Sequence, residues 1–214
     1  EDPQIPLDVT LTGWSPFIPG DADISSLPVG GLEYSFSNPT SAAIEAVFSF
    51  NTKNFMATEE LNNGIRAIKN GFILLQEGTE AKPEDQGAMA VFVEDDSAVV
   101  DNGWFRGGWW DAVTLTWKHI QEAKLMANPP QEGPSPGASI FVPLTIPPRE
   151  TKTVRVMLAW YVPVTNLRYG KDPEGAPKKE QPTCCSSPYH VPWYAGKFKS
   201  VEEIADYWRL KYDF

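Results

Sequence analysis

The chain has 214 residues, a formal net charge of -10, 42% hydrophobic and 12% aromatic side chains. A chain this acidic does not suit nucleic acid or an anionic membrane surface, both of which call for basic patches. No apolar run approaches the length of a membrane span. The 20 Pro and 16 Gly between short apolar runs favour an all-β fold, as one large domain or two small ones.

Leu7, Val9 and Leu11 alternate with Asp8, Thr10 and Thr12, the period of a half-buried strand. The stretch Leu11 to Val29 then reads as one rigid, ordered loop. Its prolines fix φ, its glycines allow turns, and Trp14, Phe17, Ile18 and Leu27 are too apolar for a disordered linker. The residues leave two readings open: a packing plug built on Trp14 and Phe17, or a binding surface on a sheet scaffold. Asp21 and Asp23 in this loop suit sugar hydrogen bonding, and equally an Asx-turn to their own backbone. Leu32, Tyr34 and Phe36 predict a second strand whose other face, with Glu33, is wet; Ile44 to Phe50 predicts a third. The short Asn38-Pro39-Thr40 turn between them predicts that these two strands pair antiparallel.

Ile65 to Ile68 and Phe72 to Leu75 read as a hairpin around Asn70-Gly71, followed by inner strands at Ala88 to Val93 and Ala98 to Val100. Trp104 to Trp110 is the densest aromatic cluster. Asp111 is placed to cap a helix reaching about Met126, with Val113, Trp117 and Ile120 on one face. Ala138 to Ile146 and Thr151 to Val162 are strands, the second long and central, with Val154, Val156, Leu158 and Trp160 on one face and Met157, Ala159 and Tyr161 on the other. Asn166 to Pro192, with Lys171, Lys178 and Lys179, is a long surface excursion. Ser200-Val-Glu-Glu203 is a capping box, which starts a helix through about Tyr212. Its aromatics Tyr207 and Trp208 leave two readings open, contact residues for a partner or a helix docked entirely on its own domain. The pattern predicts a two-sheet antiparallel β-sandwich over residues 1–199, with a short helix near 111–126 and a C-terminal connector helix over 200–214.

Chemistry is hard to find. Adjacent Cys184-Cys185 give no disulfide framework, and with His119 and His190 they make no zinc set. Asp95, Asp96, Asp101 and Asp111 match no calcium loop. No cofactor motif occurs. A glycosidase needs two carboxyls on rigid elements, and Asp21, Asp23, Glu33 and Asp111 form no supported pair, so no catalytic residue is assigned. Nothing at Glu1 is a leader. The chain is expected to be soluble, and a processed leader would make it periplasmic or extracellular, which the sequence leaves open.

Gly13-Trp-Ser-Pro-Phe-Ile-Pro-Gly-Asp-Ala-Asp23 followed by Ser25-Ser-Leu-Pro-Val29 resembles the start of the N-terminal domain of glycoside hydrolase family 116, the family of non-lysosomal glucosylceramidase or bile-acid β-glucosidase. Trp109-Trp110-Asp111, the Val156 to Tyr161 strand and Tyr207-Trp208 extend the resemblance over the whole chain. It implies a β-sandwich that precedes an (α/α)6 catalytic domain of a retaining β-glucosidase, where the catalytic carboxylates lie. It also implies partners: the downstream catalytic domain, and a β-glucoside or glycolipid. Three functions are then open. The first is a non-catalytic domain that packs on the catalytic domain and shapes its entrance. The second is an autonomous carbohydrate-binding module with Trp14, Trp104, Trp109 or Trp110 as platform. The third is a scaffold sandwich. The contact candidates are Trp14, Phe17, Asp21, Asp23, Trp109, Trp110, Tyr207 and Trp208. Exposed Trp in a row favours a module; Trp that are buried or turned toward a partner favour packing.

Overall fold

A computed structural model describes residues 5–167 and 189–213. The predicted Cys184-Cys185 pair and the lysines Lys171, Lys178 and Lys179 lie outside the described residues. Two antiparallel sheets face each other. The larger has six strands: β1 (Asp8–Trp14), β2 (Val29–Ser37), β9 (Thr151–Tyr161), β6 (Gly87–Val93), β5 (Gly71–Gln76) and β4 (Asn63–Ile68), in that spatial order. The smaller has three: β3 (Ile44–Lys53), β8 (Gly137–Ile146) and β7 (Val99–Asp101). The predicted β-sandwich is therefore the observed one.

Strand alternation decides which side chain goes where. Val154 and Val156 of β9 join Phe72 and Leu74 of β5 and Ile140 and Val142 of β8 in the core between the sheets. Met157 and Ala159 point the other way, into a second core beneath α4 (Val201–Lys211). β9 lies between β2 and β6, central as its two apolar faces predicted. Because both faces of the larger sheet are covered, its middle strands are apolar on both faces.

Several predicted features change. β2 and β3 do not pair: β2 belongs to the larger sheet and β3 to the smaller. Asn38 explains why. Its buried carboxamide donates to the carbonyls of Ala42, Ile146 and Pro147 at 2.7, 2.9 and 3.1 Å, and its N–H donates to the Glu150 carbonyl at 2.9 Å. These bonds tie the 38–42 turn to the 147–150 turn, so the chain crosses between sheets there. Leu11 to Trp14 belong to β1, and the loop after them contains a single helical turn, α1 (Ala22–Ser25). The helix capped by Asp111 is α2 (Ala112–Gln121), shorter than predicted. A short α3 (Trp193–Lys197) precedes α4.

The strand registers sort the connections by length. Val29 pairs with Ala159, Gln76 with Gly87 and Lys53 with Gly137, so the segments 15–28, 54–62, 77–86 and 102–136 gather at one end. The other end carries tight turns at 69–70, 94–98 and 147–150. Asn54 joins the sheets at the long-loop end, donating to the carbonyls of Gly64 and Leu75 at 3.2 and 3.4 Å. Buried Gln76 pins the 54–62 segment there: its Oε1 accepts from the Thr58 and Glu59 N–H at 3.2 and 3.3 Å.

Candidate functional site

Trp14 is half-buried, and its ring meets those of Trp208 and Tyr212 edge-on at 5.2 and 4.9 Å. Trp208 is 0% exposed, and its indole N–H donates to the Gly30 carbonyl at 3.1 Å. Trp208 therefore packs on its own domain: α4 covers the outer face of β2 and β9 with its own aromatics. Tyr207 packs on the same core against Phe198, at 5.5 Å between rings. Glu33 is likewise not a solvent-facing residue. It ion-pairs with Arg155 at 3.4 Å and accepts from the Tyr212 hydroxyl at 3.3 Å, under the end of α4. Burial, above all, pushes the Tyr212 phenol up to about 12.

The capping residues behave as their local geometry dictates. Asp21 Oδ1 accepts from the Ile24 N–H at 2.9 Å, so Asp21 caps α1, while Asp23 is exposed in its first turn. Asp111 caps α2, accepting from the Val113 and Thr114 N–H at 3.1 and 3.0 Å. The Thr114 hydroxyl, then those two amides, hold its carboxyl below the usual range, with Lys53 adding a favourable charge. Ser200 accepts from the Glu203 N–H at 3.4 Å, but Glu203 returns to the Lys199 N–H, one residue before the cap. Among the described residues no group of three or more His, Cys, Asp or Glu could hold a metal ion, and no helix is long and apolar enough to cross a membrane.

The exposed aromatics concentrate at the long-loop end. Trp109 is 92% exposed, Trp110 65% and Trp117 58%, and Phe17, Phe55, Leu61 and Phe105 are exposed with them. Trp104 is different: it lies buried over the smaller sheet, donating to Ser139 Oγ at 2.8 Å. α2 turns two of its apolar residues outward, while Leu115 and Ile120 are partly buried. Val113 and Trp117 are exposed, and its one buried residue is Thr116. The sequence places Val113, Trp117 and Ile120 on one face of this helix without saying what covers it. The signal that reading missed was Leu115, Thr116 and His119, a second stripe at helical spacing that faces the domain.

Beside α2 opens a cleft of about 520 Å³, lined by Trp104, Phe105, Trp110 and Val113, by Pro134 and Pro136, and by Lys53, Arg106, Asp111 and Ser135. Arg106 is fixed at its rim, donating to the carbonyls of Glu132, Gln131 and Gly133 at 2.6, 3.2 and 3.4 Å. Lys53 and Ser135 were not singled out from sequence, because segments far apart in the chain bring them to the Trp104 to Trp110 cluster.

The fold is a two-sheet β-sandwich with α4 packed on its larger sheet and long loops rich in exposed aromatics at one end. The family model described as beta-glucosidase 2, glycosyl-hydrolase family 116 N-term, matches residues 1–213. The chain belongs to this family, as an N-terminal domain of the glycoside hydrolase family 116 type. A comparison with curated proteins finds no match.

Proposed function

We propose that this domain is non-catalytic and docks through its long-loop end on the catalytic domain of a β-glucosidase polypeptide, where it forms part of the substrate entrance. The observation that carries the reading is the segregation of exposed aromatics to that end. Trp109, Trp117, Phe55 and Phe17 are too many large apolar side chains for water to surround at low cost, at roughly 25 cal/mol per Å² of apolar surface. α2 points the same way: a helix that turns Trp117 out to solvent offers it to a second surface. The family match supplies the partner's class. The state of the carboxylates supports a non-catalytic role. Asp21 and Asp111 are engaged as caps, and Glu33 is tied to Arg155.

The reading is tested by producing this chain and the catalytic domain separately and measuring their association. Trp109→Ala with Trp117→Ala is expected to weaken it by at least about 2 kcal/mol, as interface aromatics do when truncated. An unchanged dissociation constant would remove the α2 ridge from the interface.

A further inference from the structure

We propose that the cleft beside the start of α2 is a binding site for a neutral pyranoside. Its volume of about 520 Å³ lies within the range of small-molecule sites. Trp110 is 65% exposed at its edge and offers a broad ring face, with Phe105 also exposed beside it. A pyranose has an apolar face of C–H groups that suits the negative face of an indole. Its rim of hydroxyls needs both donors and acceptors, and the cleft supplies both. Lys53 reaches it with no carboxylate within ion-pair distance among the described residues, and the Asp111 carboxylate lies across from it.

The charges decide the ligand class. A purely apolar ligand would desolvate Lys53, Arg106 and Asp111 without replacing their water. A ligand of single charge would meet a like charge in the lining as well as an opposite one, since Lys53 and Arg106 stand there with Asp111. A neutral polyol meets neither penalty. The choice of a glucoside among pyranosides rests on the proposed function; the cleft chemistry does not.

The test is an NMR titration of this chain, following the tryptophan indole N–H signals, with methyl β-D-glucopyranoside, cellobiose and methyl β-D-glucuronide. The expected result is saturable shifts of the Trp110 signal with the two neutral sugars and weaker binding of the glucuronide. Trp110→Ala should abolish saturation. Lys53→Ala should weaken binding by ~tenfold, while Leu210→Ser, on the opposite side of the larger sheet, should not. No saturable shift with either neutral sugar, or shifts that survive Trp110→Ala, would overturn the site. Tighter binding of the glucuronide would overturn the ligand class. Association with the catalytic domain is a separate readout: saccharide binding lost with association intact removes the site alone, and the reverse removes the docking surface alone.

Discussion

Tyr212 shows how one side chain closes the domain. Its ring packs on Trp14 and Trp208, its hydroxyl reaches Glu33, and Arg155 lies over its face at 5.2 Å to the ring centroid. The backbone makes room for it at Gly31, where a Cβ would come within 2.5 Å of the Tyr212 hydroxyl. With its phenol at about 12 in the folded chain and an unfolded value of about 10, ionisation favours the unfolded state. The stability that Tyr212 contributes is thus complete below about pH 10 and is lost as pH rises toward about 12. A titration of tyrosinate absorbance in the native chain should show a component titrating near pH 12, which Tyr212→Phe removes. A tyrosine profile unchanged by that substitution would contradict the buried placement.

At the scale of elements, α2 and α4 make opposite use of the same residue type. Trp208 of α4 is core, and Trp208→Ala should cost about 3–5 kcal/mol by denaturant unfolding. Trp117 of α2 faces outward, and Trp117→Ala should change the stability of this chain by no more than about 0.5 kcal/mol. Equal losses for the two variants would mean that α2 is buried like α4. The sequence could not tell them apart, because periodicity marks an apolar stripe without saying what covers it. For α4 the cover is its own sheet; for α2 the domain uses the Leu115, Thr116 and His119 side instead. What was legible was local: the strand alternation, the Asn70 hairpin turn, and the Asp111 and Ser200 caps all depend on neighbours in sequence. The crossing at Asn38 was not legible. A turn motif fixes a reversal of the chain, and here carbonyls about a hundred residues away in sequence decide which sheet receives the next strand. The cleft escaped notice for the same reason, since Lys53, Trp110 and Ser135 meet only after three segments fold together.

At the scale of the whole molecule, the sandwich separates a closed end of tight turns from an end of long loops rich in exposed aromatics. The covered outer face of the larger sheet, under α4, leaves the loop end as the surface best suited to a large partner. The central claim, docking through that end, is tested most directly by oxidative footprinting of the tryptophans, comparing this chain alone with the same residues in a polypeptide that also carries the catalytic domain. The account predicts that Trp109 and Trp117 react readily in the isolated chain and become protected in the longer polypeptide, while Trp208 is protected in both. Equal reactivity of Trp109 and Trp117 in the two would contradict it.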